Sequence, residues 1–291
     1  MMNFGRLLTA MVTPFDQDNQ IDYEITTQLV EHLLSNGTDG LIVAGTTGES
    51  PTLSHDEKLA LFEHVLKVVD GRVPIIAGTG NNNTQESVAL TKEAEQLGVD
   101  GVLIVAPYYN KPNQEGLIQH FSTIAHATKL PVMLYNIPSR AVVKLNVETV
   151  VALSQVENIV SVKDSTGDLD ALASIIEQTP DDFTVYSGDD SLTLPIQSIG
   201  GAGVVSVSSH VIGNQMKEMM LLFEKGKVKE AAKLHRQLLP IMRALFMAPS
   251  PSPVKSALQH QGIPVGSVRL PLVPLSPFEE QNLFRVLDPF A

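Results

Sequence analysis

The sequence predicts an α/β chain folded as a (β/α)8 TIM barrel with a C-terminal helical extension. Three observations lead there. About eight short, near-continuously apolar, β-branched runs alternate with longer amphipathic stretches, which is how parallel strands covered on both faces read. The 291 residues exceed the roughly 200–250 that such a barrel needs. The first run ends in Val12-Thr13-Pro14-Phe15, not in the glycine-rich phosphate turn that usually marks the alternative, an open doubly wound sheet.

The strands are expected at 7–13, 40–45, 73–78, 101–107, 131–136, 159–164, 183–188 and 202–208. Each is too short for a buried helix. Between the first two, 22–34 has helical periodicity. Ser54 and Glu57 form a capping box ahead of the apolar-periodic stretch to Val69, since each can satisfy the other's free amide. A helix opening at Thr84 should stop at Gly98, a C-cap residue. Leu117, Ile118, Phe121, Ile124 and Ala125 recur at spacings of three and four across 114–128, one apolar helix face. Stretches 147–153 and 169–178 behave alike. Helices at 215–224, 228–246 and 253–260 follow the last strand, the final one with a buried side of Val254, Ala257 and Leu258. The chain therefore divides into a barrel, 1–225, and a helical region, 226–291.

Composition narrows function. Apolar residues make up 43%, enough for a large core. Charged residues are 18%, below the usual quarter, so part of the surface should be covered by other subunits. Net charge is -12, with no Lys/Arg run, which argues against nucleic acid. Zero cysteines exclude disulfides, thiolate metal sites and a cysteine nucleophile, and suit a reducing, cytoplasmic setting. The opening 15 residues read as mature protein, not a signal peptide, and no apolar run reaches membrane-spanning length. The eight histidines show no metal-ligand spacing, so neither a metal nor another cofactor is expected.

A barrel of this class places its chemistry at the C-terminal strand ends. The second ends in Gly45-Thr46-Thr47-Gly48-Glu49-Ser50. This is either an ordinary tight turn or a cradle whose amides and hydroxyls hold a carboxylate. Tyr108 and Tyr109 follow the fourth strand and Tyr135 ends the fifth. They either pack at the mouth or shuttle protons with a hydroxyl such as Thr47; Tyr186 on the seventh reads as packing. Lys163 ends the apolar sixth strand. Desolvation there disfavours an ammonium, and a neutral amine is the nucleophile that forms a Schiff base with a ketone. The competing reading is an ion pair with Asp164. Lys144 precedes a helix and reads as a surface or capping residue. Asp189 and Asp190 read as helix caps in preference to a metal pair.

Gly45-Thr46-Thr47-Gly48-Glu49, Tyr135-Asn136-Ile137-Pro138 and Lys163 resemble the pyruvate-dependent class I aldolases of the N-acetylneuraminate lyase group. Within that group, residues 107–112 and 114–116, Arg140, Ser187-Gly188-Asp189-Asp190 and 266–271 resemble the dihydrodipicolinate synthases, over essentially the whole chain. The resemblance implies condensation of pyruvate with L-aspartate 4-semialdehyde, on the route to diaminopimelate and lysine. Lys163 would form the imine and Tyr135 would be its general acid/base. Thr47, supported by Thr46, would link Tyr135 to a Tyr109 supplied by a neighbouring subunit. Arg140 would bind the semialdehyde carboxylate, and the backbone at Val205 and Gly188 would line the pyruvate side. The implied assembly is a homotetramer, a dimer of tight dimers. Some relatives bind lysine as an inhibitor, at positions matching Ser50, Pro51, His55, Lys58, Asn82, Glu86 and Tyr108. A proline at 51 and a cation at 58 imply weak or absent inhibition here. A retro-aldolase for a keto sugar acid and a non-catalytic keto-acid sensor are the competing readings. The first lacks an explanation for Arg140. The second is disfavoured because Lys163, Tyr135, Thr47 and Tyr109 are all present.

Overall fold

The computed structural model describes residues 4–288. Eight strands, β1 (Leu7–Ala10), β2 (Gly40–Val43), β3 (Ile75–Gly78), β4 (Gly101–Val105), β5 (Val132–Asn136), β6 (Ile159–Asp164), β7 (Thr184–Ser187) and β8 (Gly203–Ser206), pair in chain order. All are parallel, and β8 pairs with β1 to close the predicted barrel. Around it run α1 (Tyr23–Ser35), α2 (His55–Val69), α3 (Thr84–Leu97), α4 (Gln114–Ala125), α5 (Pro138–Ala141), α6 (Val147–Leu153), α7 (Leu169–Gln178), α8 (Thr193–Ser198) and α9 (Ser209–Glu224). Then come α10 (Val228–Ala244), α11 (Ser252–His260) and α12 (Pro277–Leu287). Among the described residues no helix is long and apolar enough to cross a membrane.

Local chemistry accounts for the helix ends. The Ser54–Glu57 capping box is formed in both directions. Asp22, Asn83, Asn113 and Asp168 each accept a first-turn amide of the following helix, satisfying donors that have no partner within the helix. Gly98 adopts the left-handed C-cap conformation, φ 89°. The strands are shorter than the apolar runs because the runs continue into the mouth loops. Met11 and Val12, for example, are buried beyond the end of β1. α9 starts at Ser209, not 215, and breaks helical geometry at Ile212 (φ -128°, ψ 32°), so its first turns do not continue the regular period of the rest. α5 and α8 are too short for periodicity to show. α12 opens with a second complete capping box, Ser276 with Glu279.

Strand alternation builds two apolar layers. Leu8, Ile42, Ile76, Leu103, Met133 and Val205 fill the barrel interior, and Phe4 joins them. Their neighbours Leu7, Leu41, Val43, Val102, Leu134, Val162 and Val204 face outward against the helices. Tyr186 belongs to the inner layer, and its hydroxyl donates to the Gly5 carbonyl at the N-terminal end of the barrel (2.9 Å). It is the packing residue the sequence suggests, with burial pushing its phenol up to about 12.

The segment after α10 reaches back to the mouth loop that follows β2. Lys255 lies 2.7 Å from Glu49, both side chains almost wholly buried (2% and 1% exposed). Lys255 also donates to the Ser267 carbonyl (2.7 Å), and the Arg269 amide donates to Glu49 (2.8 Å). The Phe15 ring lies beside both cations, 4.2 Å from the Lys255 ammonium and 4.3 Å from the Arg269 guanidinium. Arg269 pairs in turn with Glu57, and that contact holds the Glu57 carboxyl below its usual range. Burial pushes the Lys255 ammonium down to about 8, with Glu49 acting against the shift. Gly266 permits this closure: at φ 71°, any Cβ there would fall 1.8 Å from the Phe15 carbonyl oxygen.

Candidate active site

Because the strands are parallel, all their C-terminal ends meet at one rim. There lies a cavity of about 380 Å³, lined by Thr46 and Thr47 after β2, Tyr135, Arg140, Lys163, Gly188 and Val205. These are the residues the sequence singled out on five separate strand ends or their loops, and the barrel brings them together.

Lys163 and Tyr135 are register partners on β6 and β5. Both point into the barrel and both are buried (5% and 4% exposed). The Lys163 amine lies over the Tyr135 ring, 4.1 Å from its centroid. Successive residues of a strand face opposite ways, so Asp164 points outward. It accepts from Asn136 (2.9 Å) and from the Thr166 amide and hydroxyl (2.8 and 2.6 Å). Burial raises its carboxyl despite those bonds. The Lys163–Asp164 ion pair is therefore absent, and the ion pairs of the described residues do not include Lys163. Lys144 takes the surface role instead, 2.9 Å from Asp168 at the start of α7.

The loop after β2 is a tight turn whose hydroxyls also line the cavity. Glu49 donates its amide to the Thr46 carbonyl (3.1 Å) and sits in the left-handed region, φ 57°. Thr13 donates to the Gly48 carbonyl (2.7 Å). Thr47 is buried. Opposite, Gly188 has no side chain for a steric reason: a Cβ would fall 2.0 Å from Ser165 Oγ and 3.1 Å from Lys163 Cε. Of the acidic pair beyond it, Asp189 caps the following turn through the Ser191 amide (2.9 Å), as expected. Asp190 does not. It is fully buried and ties down the loop after β8, accepting from the Val207 and Ser208 amides and the Ser208 hydroxyl.

Several lining residues carried no strand-end signal. Ser165, whose hydroxyl is buried without a partner, lies two residues beyond Lys163, so the alternation could have found it. Met242, Arg243 and Phe246 come from α10 and its end, and Ser250 from the turn before α11. Nothing in their local sequence ties them to a strand end.

Tyr109 is elsewhere. It is 88% exposed, with φ 75°, and does not line the cavity of its own chain. A second cavity of about 430 Å³ adjoins the first through Thr46, Tyr135, Ile137 and Arg140. Ser50, Pro51, Lys58, Glu86 and Tyr108 line it. Burial lowers the Lys58 ammonium, opposed by Glu86, and raises the Tyr108 phenol. Asn82 donates to the Tyr108 carbonyl (3.1 Å). His55 does not line this cavity and pairs with Glu93 (2.6 Å) on the surface. Among the described residues no cluster of three or more His, Cys, Asp or Glu is placed to hold a metal ion.

A model of the dihydrodipicolinate synthetase family matches residues 3–289. Two curated proteins of Halalkalibacterium halodurans are close relatives. 4-Hydroxy-tetrahydrodipicolinate synthase 2 is 62% identical over 282 residues, covering 97% of each chain. 4-Hydroxy-tetrahydrodipicolinate synthase 1 is 59% identical over 288 residues, covering 99% of this chain and 98% of the relative. A dihydrodipicolinate synthase from Bacillus anthracis, solved by crystallography, superposes with a TM-score of 0.99 at 57% identity, over 100% of both chains.

Proposed function

Because the chain belongs to the dihydrodipicolinate synthetase family, we infer that it is a lyase with 4-hydroxy-tetrahydrodipicolinate synthase activity, acting in diaminopimelate and lysine biosynthesis. Its substrates are pyruvate and L-aspartate 4-semialdehyde. The observation that carries the mechanism is the buried Lys163 amine, without a carboxylate partner, over the Tyr135 ring at the barrel mouth.

The Lys163 amine adds to the pyruvate ketone, and the resulting carbinolamine loses water to give an imine. Removal of a methyl proton converts this to an enamine. The enamine carbon then attacks the aldehyde carbon, and the carbonyl electron pair moves onto oxygen, which takes a proton. Tyr135 is the group that gives and takes these protons. Thr47, held by the turn that Glu49 completes, passes them towards a tyrosine hydroxyl. Finally the semialdehyde's amine displaces Lys163 from the imine carbon, closing the ring and freeing the lysine.

Arg140 receives the semialdehyde carboxylate, a task suited to a guanidinium fork. An Arg140→Ala variant should lose about ten- to a hundredfold in kcat/KM for the semialdehyde. Borohydride trapping with pyruvate should be unchanged. Equal loss in both assays would remove Arg140 from that role.

Tyr109 serves the site of a neighbouring subunit in this reading, and its exposure on its own chain is the observation that supports it. The assembly proposed is a homotetramer built from dimers that share Tyr109. The second cavity is read as the counterpart of the lysine-inhibition position of some relatives, a reading supported by Ser50, Pro51, Lys58, Glu86 and Tyr108 in its lining. Lys58 there would repel the ligand's ammonium, and Glu86 is already engaged by the Asn81 and Asn83 amides. Lysine titrated into the assay is expected to leave turnover almost unchanged at concentrations up to the millimolar range. Strong inhibition well below that would contradict the assignment. No part of the scheme requires a nucleic acid, a membrane or a cofactor, and a cytoplasmic location suits a cysteine-free biosynthetic enzyme.

A further inference from the structure

Two guanidinium groups line the catalytic cavity, Arg140 from the loop after β5 and Arg243 from the last turn of α10. Only one has a task in the scheme above. The other charged lining groups are Lys163, which becomes the imine, and Asp189, whose carboxylate is engaged by the Ser191 amide and hydroxyl (2.9 and 2.8 Å). The Arg243 side chain is exposed and has no hydrogen-bond or ion-pair partner among the described residues. A cation in the last turn of a helix is favoured by the helix dipole, which explains a positive residue there but not its position on the rim of the cavity.

The substrates differ in net charge. Pyruvate is a monoanion, whereas aspartate semialdehyde carries both an ammonium and a carboxylate and is neutral overall. A chain of net charge -12 repels an anion at long range, and a cation at a cleft mouth reverses that locally. We propose that Arg243 is a capture residue for pyruvate, drawing its carboxylate into the cavity before Lys163 attacks. The proposal rests on the Schiff-base reading and deepens it: this chain selects its first substrate partly by charge at the mouth.

The attraction is the same for ground and transition state, so it should move KM and leave kcat alone. In Arg243→Gln at about 20 mM salt, KM for pyruvate should rise about three- to tenfold; Arg243→Glu should raise it further and Arg243→Lys should restore it. KM for the semialdehyde should not change. The pyruvate effect should fade at about 0.5 M salt, where screening acts within a few ångströms. The melting temperature should stay put, because the exposed side chain has no hydrogen bond or ion pair to lose among the described residues. The same shift should appear in the pyruvate dependence of borohydride trapping. If wild-type protein gains no mass on Lys163, the Schiff-base reading fails. If wild type traps normally but Arg243→Gln shows an unchanged or salt-independent pyruvate KM, or an equal change for both substrates, the capture role alone is overturned.

Discussion

A Lys163→Ala variant should gain no mass on borohydride treatment with pyruvate and should lose turnover by roughly four orders of magnitude. Without the amine there is no imine, and without the imine no electron sink makes the methyl carbon nucleophilic. The loss should not come from unfolding. Lys163 is buried without a carboxylate partner, so removing it leaves no opposite charge stranded, and the melting temperature should hold or rise. Mixing this variant with Tyr109→Phe adds a second readout. In a mixed pair, one site keeps Lys163 and receives an intact Tyr109 from the other chain. Random reassembly should then restore roughly a quarter of wild-type activity. No recovery would place Tyr109 in its own chain's site, against its exposure on the isolated fold.

Lys255→Met should be the most damaging single change outside the cavity. It leaves Glu49 charged and buried, at a cost of about 3–5 kcal/mol. The double variant Glu49→Gln/Lys255→Met should recover most of that, because two neutral side chains of similar size strand no charge. Urea unfolding at one fixed protein concentration reads the difference. The single variant should also bind pyruvate poorly, since Glu49 ends the turn that carries Thr46 and Thr47. If the single change costs no more than the double one, the pair is not what holds this loop.

The barrel was legible because strands buried on both faces cannot alternate: 40–43 and 101–105 are apolar throughout, a pattern a half-exposed strand would not show. Lys163 stood out for the complementary reason, as a charge in a strand with no room for one. Arg243 and Phe246 were hidden because an appended helix carries them to the rim, a tertiary placement that no local pattern records. Asp190 was misread as a cap because its partners, Val207 and Ser208, lie on another strand's loop. The helix at 277–287 was missed although Ser276 and Glu279 announce its start; its apolar positions follow a loop rich in proline, which obscured the period. His55 is near the second cavity in sequence, but its ring turns to Glu93 instead.

The Glu49–Arg269 contact joins residues 220 positions apart, and this sets an order of events during translation. At roughly 5–20 residues per second, the ribosome releases Arg269 roughly 10 to 40 seconds after Glu49. Until then the turn bearing Thr46 and Thr47 has neither Lys255 nor Arg269 to hold it. A nascent chain could complete all eight strands and still lack an ordered pocket. The turn therefore gains its full set of contacts only with the last part of the chain, although it is made among the first fifty residues.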